Sequence, residues 1–187
     1  DRCGRAAERD RKADRLGKDL ADVGGGKGDR VSTMLFNGSE IVVAVYACTK
    51  LGAVFNPLNY RLPAGEVEYI VNDAESKVLL YEADTREAVD GARDDLETVE
   101  EYVYIDEGVP DGDLDFYDLL ASASPERPGV PVAEDDPYAF IYTSGTTGRP
   151  KGVVHEHRNM MEHSLPCIAE INPARSDGRP AAPPAVP

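Results

Sequence analysis

Apolar positions along this chain alternate between short continuous runs and helically spaced stripes. Val31 to Phe36 forms a run of strand length, and Ala53 to Phe55 a second, shorter one. Lys77 to Tyr81, Tyr102 to Ile105, Tyr138 to Tyr142 and Val153 to His155 follow the same pattern. Between them, residues recur on one helical face. Ala13, Leu16, Gly17 and Leu20 stand at i, i+3, i+4 and i+7, which predicts a helix beginning near Ala13. Ser39 to Leu51 is apolar enough for a buried helix, with Asn37 or Ser39 as its cap and Gly52 as its stop. Val67, Ile70, Val71 and Ala74 mark a further helix, as do Ala88, Val89, Ala92 and Leu96, and another starts near Arg158. The alternation of strand and helix predicts an α/β fold, a mostly parallel sheet flanked by helices. Ser122 to Asp136 carries several prolines and is expected to be a connector.

Both ends depart from this pattern. Residues 1–15 form an atypical charged start without a large apolar side chain. Residues 172–187 are dominated by Pro and Ala, which cannot bury enough surface to fold, so a disordered tail is expected there. Out-of-frame reading of GC-rich codons gives the same composition, so a frameshifted or truncated reading frame is the other expectation for this tail.

Charge narrows the function classes. The chain has 187 residues, with 35 acidic against 20 basic side chains and a net charge of −15. That length allows one domain with a core. The acidic balance disfavours nucleic acid as a partner. It also fits a halophilic setting, where a hydrated acidic surface maintains solubility. Cys3, Cys48 and Cys167 form no C-x-x-C pair, and an odd count without a framework predicts a reducing, cytoplasmic compartment. The charged start lacks a signal-peptide pattern, and the apolar run Ile41 to Cys48 is too short to span a bilayer.

The candidate chemistry lies between the last two strands, in the sequence FIYTSGTTGRPK from Phe140 to Lys151. Gly145 and Gly148 permit close backbone approach to a ligand. Thr143, Ser144, Thr146 and Thr147 supply hydroxyl and N–H donors, and Lys151 supplies positive charge, so the segment suits phosphate groups. It is not a Walker A loop, because Pro150 occupies the second glycine position and Gly152 replaces the magnesium-binding hydroxyl. Nor is it a dinucleotide loop, since Thr147 stands where G-x-G-x-x-G requires glycine. His155 and His157 flank Glu156 and could share a strand face, but the only other histidine is His163, and no metal site is expected.

The loop resembles the signature of the adenylate-forming superfamily, which comprises acyl-CoA synthetases, peptide-synthetase adenylation domains and luciferases. Every specified position of Thr-Ser-Gly-Thr-Thr-Gly-x-Pro-Lys matches. Gly26 to Val31 is similar to the family's G-x-G-D-x-V segment, and Asn56 to Leu62 to its N-P-x-x-x-x-L connection. His157, Arg158 and Asn159 match the His-x-Asn that follows the loop. The likeness runs from about Leu16 to Ala169 and is strongest to fatty-acyl and medium-chain acyl-CoA ligases.

This resemblance implies that residues 16–171 are part of the large amino-terminal domain of a longer enzyme. Such enzymes join a carboxylic acid to ATP as an acyl-adenylate, then transfer the acyl group to coenzyme A. It implies that Thr143, Ser144, Gly145, Thr146, Thr147, Gly148 and Lys151 hold the β- and γ-phosphates of ATP. Magnesium and coenzyme A are implied for the whole enzyme. The family's adenine, magnesium and acyl motifs, Tyr-Gly-x-Thr-Glu and Thr-Gly-Asp among them, have no counterpart in this sequence, so the segment alone is not expected to catalyse. Two other readings stay open: an adenylation domain loading a carrier protein, and a non-catalytic nucleotide-binding remnant.

Overall fold

The computed structural model describes residues 2–123, 126–143 and 148–171. In chain order the helices are α1 (Arg2–Asp22), α2 (Ser39–Leu51), α3 (Ala64–Asp73), α4 (Arg86–Ala92), α5 (Phe116–Ser122) and α6 (His157–Ile171). The strands are β1 (Arg30–Met34), β2 (Val54–Pro57), β3 (Ser76–Tyr81), β4 (Glu101–Tyr104), β5 (Leu114–Asp115), β6 (Pro137–Thr143) and β7 (Lys151–Glu156). Among the described residues they form one sheet in the order β5-β4-β3-β1-β2-β6-β7. Every neighbouring pair is parallel except β6–β7, an antiparallel hairpin. The expected α/β class and mostly parallel sheet are observed.

Alternating side chains along each strand divide the core in two. Val78 and Leu80 of β3 pack with Val31, Leu16 and Leu20 of α1, Val43 and Ala47 of α2, and Phe116 of α5. Leu79 and Tyr81 of the same strand pack on the other face with Val67 and Ile70 of α3 and Val89 of α4. Helices thus cover both faces, which is why β3 is apolar at successive positions rather than at alternate ones.

Several boundaries differ from expectation for physical reasons. Helix α1 begins at Arg2, not near Ala13. Its polar first half is supported by Glu8–Lys12 (3.2 Å, i to i+4) and by Lys50, which bridges Asp10 and Asp14 at 2.6 and 2.7 Å. Strand β1 stops at Met34, because Phe36 leaves the sheet, becomes 41 % exposed and stacks on Tyr60 at 4.1 Å. Neither Asn37 nor Ser39 caps α2. Gly38 holds the N-cap position without a side-chain bond, and the Ser39 hydroxyl donates to Glu40 (2.7 Å). Gly52 does end that helix, with φ 73° and its N–H donating to the Cys48 carbonyl. Helix α5 was not expected. Asp115 caps it by accepting from the N–H groups of Tyr117 and Asp118, and Phe116 and Leu120 are its buried side.

Cys48 is buried, and desolvation pushes its thiol up to about 12, which removes it as a nucleophile. No helix among the described residues is long and apolar enough to cross a membrane. The tail expected over 172–187 lies outside the described residues.

Candidate functional site

The glycine-rich segment leaves the sheet where parallel α/β folds bind ligands. β6 runs parallel to β2, which runs parallel to β1, so Thr143 lies on the same sheet edge as Met34 and Pro57, the carboxyl ends of those strands. Crevices outside that edge are the usual ligand sites of open α/β sheets.

The β6–β7 hairpin fixes the base of the loop. Thr143 pairs with Lys151 in the antiparallel register, and Tyr142 pairs with Gly152. Directly opposite residues point to one face, so the Thr143 hydroxyl and the Lys151 ammonium project together. Both residues are exposed. They are strand ends rather than loop residues, and the connection proper runs from 144 to 150. Gly148 has φ 97°, and a Cβ there would meet nothing within 4 Å. The left-handed backbone favours glycine, and the open space leaves room for a ligand. Ser144, Gly145, Thr146 and Thr147 lie outside the described residues.

Charge along the hairpin segment itself runs against the charge of the whole. Between Asp136 and Glu156 the sequence contains no carboxylate, while Arg149 and Lys151 are both cationic. In a chain of net charge −15 this is a locally cationic stretch of sequence, although Glu66, Glu68 and Asp73 of α3 line a cavity together with Gly148, Arg149 and Pro150. The same stretch offers no carboxylate ligand to a magnesium ion.

The other face of the hairpin is held by α3. The Tyr142 hydroxyl donates to Asp73 Oδ2 (2.6 Å), and the Tyr69 hydroxyl donates to the Pro150 carbonyl (3.2 Å). The Arg149 guanidinium lies 5.4 Å from the centre of the Tyr69 ring. These anchors were not found in the sequence. The Tyr142–Gly152 pair becomes visible once the hairpin register is known, but nothing in the sequence singles out Asp73.

His155 and His157 do not act together. His155 sits opposite Ala139 in β7, whereas His157 opens α6 with its ring edge-on to Tyr138 at 5.3 Å. Burial pushes the His157 imidazole below its ordinary range, against the opposing pull of Asp136. Among the described residues no group of three or more His, Cys, Asp or Glu side chains is placed to hold a metal ion.

A family model described as "AMP-binding enzyme" matches residues 6–178. The chain belongs to the AMP-binding enzyme family. Two relatives of the chain are named long-chain-fatty-acid–CoA ligases. The one from Thermus thermophilus is 41 % identical over 159 residues, which cover 85 % of this chain and 29 % of that protein. FadD13 of Mycobacterium tuberculosis is 38 % identical over 151 residues, 79 % of this chain and 28 % of that protein. Solved structures agree. A fatty acyl CoA synthetase of Mycobacterium tuberculosis superposes with a TM-score of 0.73 at 35 % identity, over 83 % of this chain and 29 % of that one. The anthranilate CoA ligase AuaEII, solved with anthranoyl-AMP, gives 0.79 at 28 % identity, over 91 % of this chain and 32 % of that one. The chain therefore spans about three tenths of the length of these relatives.

Proposed function

We propose that this chain supplies the ATP-phosphate loop of an AMP-forming acid–thiol ligase whose acid substrate is a fatty acid. The observation that carries the reading is the hairpin at the carboxyl edge of the parallel sheet, without a carboxylate from 137 to 155 and with Thr143 opposite Lys151. In the proposed reaction a carboxylate oxygen attacks the α-phosphorus of ATP, the bond to the β-phosphate oxygen breaks, and pyrophosphate leaves. The thiol of coenzyme A then attacks the acyl carbon of the adenylate, AMP leaves, and the thiol proton passes to solvent. Such a first step depends mainly on positioning and charge neutralisation. Thr143 and Lys151 would orient the leaving pyrophosphate and offset its charge, and Gly148 would let the backbone approach it. The fatty-acid assignment is supported by likeness to the two ligases named above.

Magnesium would accompany ATP as its counter-ion, and its protein ligands would lie outside this hairpin. No described residue is assigned to coenzyme A or to the acyl chain. We assign the protein to a cytoplasm of high salt, on its acidic balance.

Phosphate recognition is testable on this chain directly. In a phosphorus-31 NMR titration, magnesium tripolyphosphate should bind, and Lys151→Ala should weaken binding by roughly three- to tenfold, the range for one exposed charge-assisted contact. Equal binding by the two proteins would remove Lys151 from the site.

A further inference from the structure

The carboxyl end of α3 is joined to the loop hairpin through one aromatic side chain. Gly152 of β7 lies directly beneath the Tyr142 ring, where an added Cβ would come within 3.0 Å of Tyr142 Cζ and 3.2 Å of its hydroxyl oxygen. Any larger residue at 152 would lift the ring. With glycine there the ring lies flat across the hairpin, and its hydroxyl reaches Asp73 Oδ2 at 2.6 Å. Burial and the hydrogen bond to Asp73 hold the Tyr142 phenol above its ordinary range, so it remains a donor. Tyr69, one turn earlier on α3, grips the carbonyl of Pro150 on the returning arm. The Tyr142 contact lies on the face opposite Thr143 and Lys151, since Tyr142 and Thr143 are successive in a strand.

We propose that Tyr142 and Asp73 are positioning residues that clamp the Gly148–Gly152 arm to α3 and so set where Lys151 presents its charge. The clamp would remove conformational freedom from the arm before a phosphate arrives, so less entropy is lost on binding. The proposal rests on the phosphate reading above for its purpose, though not for its geometry.

Hydrogen exchange and ligand binding separate the two. Tyr142→Phe keeps the ring over Gly152 and removes only the donor. Asp73→Ala removes the acceptor, and Asp73→Asn restores an acceptor oxygen. Exchange of the amides from 148 to 152 should accelerate by about three- to tenfold in Tyr142→Phe and in Asp73→Ala, the range for one net hydrogen bond. The double variant should exceed neither single one, and Asp73→Asn should stay near the parent chain. Amides of β1 and β3 should not change. Tripolyphosphate affinity should fall by about the same factor as the arm loosens. Unchanged arm exchange in both single variants would overturn the clamp, as would acceleration shared equally by β1 and β3, which marks loss of fold. A parent chain that binds no tripolyphosphate would overturn the phosphate reading, leaving exchange to judge the clamp.

Discussion

Arg93→Ala should lower the stability of this domain by about 3 kcal/mol, the lower end of the cost of breaking a buried ion pair from one side. The Asp113 side chain is 0 % exposed, whereas that of Arg93 retains 29 %. Two guanidinium nitrogens donate to the two Asp113 oxygens at 2.8 and 2.9 Å, and Nη2 also donates to the Tyr81 hydroxyl at 3.0 Å. That hydroxyl in turn donates to Asp113 Oδ2. The guanidinium is further stacked 3.8 Å from the centre of the Tyr102 ring. Removing it strands a carboxylate in the interior with only the phenol as partner. Arg93→Lys should rescue little, because a single ammonium cannot bridge both oxygens and stack on a ring. Tyr81→Phe should cost only about 1 kcal/mol, as it deletes a neutral donor and leaves the ion pair intact. Urea unfolding of the three variants checks the ranking; an Arg93→Ala loss below that of Tyr81→Phe would show that the pair is not effectively buried.

Molar potassium chloride should markedly increase the folded fraction relative to low salt. Two electrostatic effects compete. Exposed ion pairs such as Glu8–Lys12 and Arg86–Asp90 weaken when screened, but each contributes little. The excess of 35 acidic over 20 basic side chains repels over longer distances, and this repulsion is relieved as the screening length falls from ~10 Å at 0.1 M to ~3 Å at 1 M. Repulsion therefore dominates. The exposed apolar residues Ile141, Val153, Val154, Met160 and Met161 gather on β6, β7 and α6 and form a surface prone to association, which the net negative charge opposes. Far-UV circular dichroism through a salt titration should show order increasing towards 1 M. A spectrum fully folded at low salt and unchanged thereafter would argue against a high-salt setting.

What the sequence made legible follows from the range of the interactions involved. The strands β1, β3 and β4 and the helices α2, α3 and α4 announce themselves by local apolar spacing, because each buries a face built from nearby residues. The loop is legible because hydroxyls, glycines and a lysine crowd a few positions. The first half of α1 is not, since ion pairs rather than an apolar stripe support it. Helix α5 is short, and its signal is a single capping aspartate followed by two apolar residues. Sheet order is invisible locally: β6 joins β2 although α3, β3, α4, β4, β5 and α5 intervene in the chain. The clamp is hidden for the same reason, since Tyr142 and Asp73 are 69 residues apart.

The most direct test is to replace the matching segment of the Thermus thermophilus ligase with this chain's residues 6–171, and to measure fatty-acid-dependent exchange of labelled pyrophosphate into ATP. The chimaera should exchange pyrophosphate only when fatty acid is present, whereas the 187-residue chain alone should not. A chimaera that folds, as judged by its circular dichroism, yet exchanges no pyrophosphate above the fatty-acid-free control would contradict the assignment of this hairpin as the ATP-phosphate loop.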